Sequence, residues 1–184
     1  FRARVTFPIF NIGGRVLGFS ARILSSDKSK AKYVNSPESI IYSKSNVLFG
    51  LHLAKDRIIK EDLCYLVEGN MDAVMLHQSG VFNVVATSGT ALTTQQINLI
   101  KRYTRNVTVL YDGDNAGIKA TFKAVNLFLE QGLNVRTVLF PDGEDPDSFA
   151  RKRTADALKA FPSDNSRNFT LSKTDTLGKQ AGNA

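Results

Sequence analysis

The sequence predicts an α/β fold: a mostly parallel four-stranded sheet with flanking helices, preceded by part of a mixed α+β subdomain of basic character. Three observations lead there. Four strand-like runs (63–67, 84–87, 107–111 and 135–140) alternate with three helical patterns, as in parallel strands joined by helical crossovers. The charge is segregated: residues 1–44 hold eight Lys and Arg against two acids, whereas residues 62–147 hold ten acids against six bases. Acidic residues also recur just past the strand-like runs, where open α/β sheets place their ligands. Residues 1–60 therefore read as the basic subdomain and 61–153 as the α/β domain. Residues 154–184 read as the start of a truncated helical subdomain, or a tail.

In order along the chain, residues 4–10 put Val5, Phe7 and Ile9 on one face at period two, and an extended pattern resumes at 15–23. Asn11-Ile12-Gly13-Gly14 between them is a hairpin signal, and Pro8 marks an edge strand. Residues 25–46 are polar without a helical period and predict a long loop carrying Lys28, Lys30, Lys32 and Lys44. A short helix is expected over 47–60, with Leu48, Leu51, His52, Ile58 and Ile59 on one side. After the first buried strand, Met71, Val74, Met75 and Gln78 recur at helical spacing, up to a stop at Gly80. Thr93 and Gln96 have capping-box spacing ahead of Ile97 and Ile100. The third helix shows Ala120, Ala124, Leu127 and Phe128 on one face and ends at Gly132. Pro146 suits the first turn of another helix capped by Asp145, and 154–161 has helical character.

The run Val107-Thr108-Val109-Leu110-Tyr111 leads straight into Asp112-Gly113-Asp114. Gly113 lets the backbone turn sharply, so two carboxylates can face one point. Two such anions repel unless a cation lies between them, and oxygen-only ligands suit Mg²⁺. Glu68 ends the first parallel strand, Asp145 and Asp147 follow the fourth, and Asp72 lies one helical turn past Glu68. In a parallel sheet these ends share one edge, so the acids are expected to converge on one crevice. Simpler roles stand beside this one: Asp114 or Asp145 as helix caps, Asp147 as a charge complementing a helix dipole, Asp72 as a surface residue. A carboxylate site loaded with divalent metal beside a basic surface is the arrangement that phosphoryl or nucleotidyl transfer on nucleic acid requires.

Composition narrows the classes further. The net charge is +7. No apolar run approaches the ~20 residues that span a bilayer, so no membrane role is expected. Cys64 is the single cysteine and sits in an apolar run, which leaves neither a disulfide nor a zinc cluster and fits a reducing cytoplasm. The opening residues read as the middle of a strand, and the chain is expected to be a piece of a longer protein.

Taken together, Val67-Glu68-Gly69-Asn70-Met71-Asp72, Ala86-Thr87-Ser88-Gly89-Thr90, Tyr111-Asp112-Gly113-Asp114-Asn115-Ala116-Gly117 and Pro141-Asp142-Gly143-Glu144-Asp145-Pro146-Asp147 resemble a TOPRIM domain, a Rossmann-like fold. More narrowly they resemble that of bacterial DnaG-type primases. Gly14-Arg15-Val16-Leu17-Gly18-Phe19-Ser20-Ala21-Arg22 and Lys32-Tyr33-Val34-Asn35-Ser36-Pro37-Glu38 agree with it upstream.

The resemblance implies a DNA-dependent RNA polymerase that makes short RNA primers on single-stranded DNA from NTPs, in the cytoplasm, working with a replicative helicase through a domain absent here. It implies Glu68, Asp112 and Asp114 as catalytic residues. Glu68, Asp72, Asp112, Asp114, Asp145 and Asp147 would be the ligand set for two or more Mg²⁺ or Mn²⁺ ions. Arg22, Lys32, Asn35 and Lys44 would form the nucleotide and nucleic-acid surface. Part of the polymerase core is missing, so the piece alone is expected to be weakly active or inactive. Three alternatives stay open at this point: topoisomerase chemistry, which needs a nucleophilic tyrosine; a TOPRIM nuclease using the same acids; and a non-catalytic nucleic-acid-binding module.

Overall fold

The computed structural model describes residues 1–25, 29–138 and, as backbone, 166–168. The 141–147 turn and the helix expected near 154–161 lie outside these residues. Strands β1 (Arg4–Phe10) and β2 (Val16–Ile23) form the expected hairpin. Its turn closes because Asn11 Oδ1 accepts from the N–H groups of Gly13 and Arg15 at 3.0 and 2.9 Å, while Gly14 takes a φ of 83°. Pro8 lies on β1, an edge strand as expected. The expected 25–46 loop is more structured than its polarity suggests. Tyr33–Asn35 forms β3, antiparallel to β2, and Lys44–Asn46 makes a 3₁₀ turn. Three residues are too few for a period-two pattern to show.

Helix α1 (Leu51–Glu61) starts later than the expected residue 47. Gly50 before it takes a left-handed φ of 83°, and Phe49 exchanges two backbone hydrogen bonds with Ala86, at 2.9 and 3.0 Å. Residues just ahead of the helix therefore extend the sheet. Leu51, Ala54 and Ile58 are buried, whereas Ile59, expected on the inner side, is 56% exposed.

The central sheet runs β4 (Cys64–Val67), β5 (Val84–Ala86), β6 (Asn106–Val109) and β7 (Asn134–Val138), all parallel, in the spatial order β5-β4-β6-β7. Backbone of Ser166–Asn168 adds β8, antiparallel to β7, which the sequence reading left in the terminal tail. Each strand is a short apolar run because both faces are covered. One face packs Cys64, Leu66, Val85, Val107, Val109 and Val135 beneath α1, α3 (Thr94–Lys101) and α4 (Asn115–Glu130). The other packs Tyr65, Val67, Val84 and Ala86 beneath α2 (Asn70–Gln78). Helix α2 buries Asn70, Ala73 and Leu76; the expected Met71, Val74, Met75 and Gln78 lie on its flanks or in solvent. Apolar residues surround α2, so periodicity alone does not select its inner side.

This order has a consequence for function. From β4 the chain crosses to β5 on one side, then returns to β6 and β7 on the other. The reversal lies between β4 and β6, and at such a switch point the carboxyl ends of the strands open a crevice. Glu68 and Asp112 stand at those two ends.

Candidate active site

Leu110 N–H donates to Leu66 O at 2.8 Å as the parallel pairing ends. Beyond it β4 delivers Glu68, and β6 delivers Asp112 and Asp114. Glu68 holds its proton more tightly than an ordinary carboxylate, through partial burial first and then the negative charge of Asp112 and of Asp114. Its Oε1 is buried without a hydrogen-bond partner. The three acids thus share one electrostatic environment, as their strand-end positions predict.

Local sequence fixes them. Asp114 caps α4, its Oδ1 accepting from the N–H of Gly117 at 2.7 Å, so the simpler role foreseen for it is real. Asp72 Oδ2 accepts from Gly69 N–H at 3.0 Å and ties down the turn that carries Glu68. The loop after β5 crosses beneath the same turn. Thr87 N–H donates to Val67 O and Gly89 N–H to Glu68 O, both at 3.2 Å, and Ser88 Oγ donates to Asn70 Oδ1 at 2.7 Å. Ser88 and Gly89 hold φ values of 61° and 74°, and the left-handed state costs serine energy, so this crossing is strained at Ser88.

A cavity of about 260 Å³ opens between the two sheets. Arg22, Lys32 and Tyr33 line one side, and Glu68, Asp72 and Asp112 the other. Of the expected basic set, Arg22 and Lys32 reach it; Asn35 and Lys44 are not among its lining residues. Asn35 pairs with Ser20 in the β2–β3 ladder and leaves its Oδ1 buried and unpartnered. Lys44 sits in the 3₁₀ turn, its N–H donating to Glu38 Oε1 at 2.9 Å. Asp145 and Asp147 lie outside the described residues.

Sequence reasoning passed over one neighbour of Glu68. Tyr111 is buried behind Glu68, and burial, followed by the Glu68 charge, pushes its phenol up, against a hydrogen bond from Thr87. A second cavity of about 310 Å³ on that side is lined by Glu68, Thr87, Tyr111, Ala120 and Lys123. Tyr111 closes a strand-like run, which is the signature of a core residue and hides its nearness to the acids.

Among the described residues, no three His, Cys, Asp or Glu side chains form a ready metal cage. The donors still suit a hard divalent cation. All are oxygens, Glu68 keeps an orphaned one, and the crowded charges favour a cation between them. Mg²⁺ commonly takes only one or two carboxylates, completing its shell with water and substrate phosphate.

Comparison with known proteins now bears on these features. Residues 1–55 match the family model described as "DNA primase catalytic core, N-terminal domain", and residues 65–150 match the one described as "Toprim-like". The DNA primase of Clostridium acetobutylicum is 46% identical over 158 residues, covering 86% of this chain and 26% of that protein. The chain belongs to the DnaG primase family. A crystal structure of the zinc-binding and RNA polymerase domains of Aquifex aeolicus primase superposes with a TM-score of 0.85 at 42% identity, covering 97% of this chain and 43% of that one. A structure of the DnaG primase catalytic domain bound to single-stranded DNA gives 0.83 at 39% identity, covering 98% and 57%. The parallel sheet of this DnaG-family chain is thus a TOPRIM fold. The chain spans about a quarter to a third of the length of the curated relatives it matches, 26% of the C. acetobutylicum primase and 35% of the full Aquifex aeolicus primase, to which it is 44% identical. No helix among the described residues is long and apolar enough to cross a membrane.

Proposed function

We propose that this chain is the catalytic part of a DNA primase, joining ribonucleotides into short primers on single-stranded DNA. The observation that carries this reading is the cavity between the sheets, with two cations on one wall and coupled carboxylates on the other. Relatives are named DNA primase, and a structural relative holds single-stranded DNA.

In the reaction a ribose 3′-hydroxyl attacks the α-phosphate of an NTP; a P–O bond forms, the bond to the β-phosphate breaks, and pyrophosphate leaves. Arg22 and Lys32 hold phosphates and read no bases, so template and nucleotide binding weakens steeply with salt. Glu68, at the end of β4, stands where its carboxylate can take the proton of the attacking hydroxyl. Glu68, Asp112 and Asp114 would hold Mg²⁺ or Mn²⁺, with Asp72, Asp145 and Asp147 in the surrounding acidic set. Bound there, divalent ions supply charge neutralisation at the triphosphate. Asn35 and Lys44 extend the nucleic-acid surface beyond the cavity. On this reading the whole protein also meets a replicative helicase and works in the cytoplasm.

The test is to replace the corresponding segment of the C. acetobutylicum primase with this chain and assay primer synthesis on single-stranded template. Glu68→Gln and Asp112→Asn each abolish synthesis while the thermal transition persists. Near-normal synthesis by either variant overturns the assignment. Cleavage of labelled DNA without NTPs would favour the nuclease instead.

A further inference from the structure

Gln96 is fully buried, and its side chain has two separate sets of partners. One set belongs to α3. Gln96 Oε1 accepts from the Thr93 N–H at 3.1 Å, and the Gln96 N–H donates to Thr93 Oγ1 at 3.2 Å, a complete capping box. The other set leaves the helix. Gln96 Nε2 donates to Lys44 O at 3.1 Å and to Val47 O at 2.9 Å, and Thr93 Oγ1 donates to Ser45 O at 2.7 Å. A capping box needs only an acceptor at this position, and glutamate serves it as well as glutamine. The two Nε2 donors do nothing for α3. They hold residues 44–47.

That segment is where the antiparallel sheet joins the parallel one. Directly after it, Phe49 pairs with Ala86 on the edge of β5, and its ring meets Phe7 of β1 edge-on at 6.1 Å between centroids. Upstream of it stand Tyr33 and Asn35 of β3, with Lys32 beside them. The chain that links Arg22 and Lys32 on one wall to Glu68 on the other runs through this junction. Fully satisfied buried polar networks hold a unique geometry; partly satisfied ones do not.

We infer that Gln96 is a positioning residue: through Lys44 O and Val47 O it fixes the junction that sets the cationic wall against the acidic one. The inference rests on the proposed function only where nucleic acid is the readout.

The experiment uses the full chain and three variants. Gln96→Glu keeps the cap acceptor but loses both donors. Gln96→Met is neutral and of similar length, and loses every polar contact of the side chain while keeping the backbone N–H bond to Thr93 Oγ1. Thr93→Ser keeps every bond. Amide hydrogen exchange over residues 44–49 is compared with that over β4 and β6, alongside binding of a short oligothymidylate. Gln96→Glu and Gln96→Met speed exchange over 44–49 by about tenfold or more, as the loss of two buried hydrogen bonds predicts, with β4 and β6 unchanged. They also weaken oligonucleotide binding at least about fivefold, while Thr93→Ser behaves as the unaltered chain. Unchanged exchange over 44–49, or acceleration spread evenly over the sheet, overturns the positioning role. So does wild-type DNA affinity in both Gln96 variants. Failure of the unaltered chain to bind the oligonucleotide would instead count against the proposed function, and exchange alone then decides the junction.

Discussion

Gly117 offers a sharp test of how the acidic turn is built. It lies in the first turn of α4, buried against the backbone of Asp112. A Cβ added there would sit 2.9 Å from the Asp112 carbonyl carbon and 3.1 Å from its nitrogen, and closer still to the carbonyl oxygen. Ordinary contact between carbon atoms is about 3.5–4.0 Å, so the start of α4 and the Asp112 turn must part by on the order of 1 Å. The neighbour is main chain and cannot rotate aside, which puts the cost near the upper end of overpacking, about 3 kcal/mol. Alanine recovers about 1 kcal/mol of helix propensity over glycine. Gly117→Ala should therefore lose about 2 kcal/mol in urea denaturation, and Mn²⁺ affinity should fall with it because Asp112 and Asp114 shift apart. Lys119→Ala, on the exposed side of the same helix, is the control and should change little. A Gly117→Ala protein as stable as the parent, with unchanged Mn²⁺ affinity, would refute this account of the close approach.

Further predictions concern the acids and the core. Glu68 has a raised folded-state proton affinity, so its ionisation costs stability: the folded protein loses stability, relative to Glu68→Gln, as pH rises through that raised value. In chelator at pH 7 Glu68→Gln should melt higher than the parent, and below pH about 4 the two should converge; a lower melting temperature at pH 7 would contradict the repulsion. Asp62 accepts from Thr104 Oγ1 at 2.7 Å and Asn106 Nδ2 at 2.9 Å while holding a left-handed φ of 46°. Asp62→Ala should cost about 2 kcal/mol, and Asp62→Gly about 1 kcal/mol less because glycine takes that φ without strain. Cys64 is buried and burial pushes its thiol up, so a thiol reagent should modify it only at the rate of unfolding.

The parallel sheet is legible in the sequence because its strands are short apolar runs punctuated by turn signals, and the Thr93–Gln96 box is legible because capping chemistry is local. Glu68 and Asp112 were found together because their strand-end positions share one sheet edge. What local pattern cannot show is long-range pairing. β3 is only three residues, β8 returns from outside the α/β unit, and Phe49 pairs with Ala86 across a long stretch of chain. The inner side of α2 was missed because a helix with apolar residues all round has no preferred face. Lys44 illustrates the same limit: its place in the chain says nothing of the buried Gln96 that holds its carbonyl.

The central claim is that acids from distant points in the sequence form one cation site facing Arg22 and Lys32. Anomalous diffraction from crystals soaked in Mn²⁺ tests it most directly. The account predicts a peak between Glu68 and the Asp112–Asp114 turn, lost in Asp112→Asn crystals. Well-ordered crystals with no peak there, or with Mn²⁺ only at unrelated surface carboxylates, would contradict it.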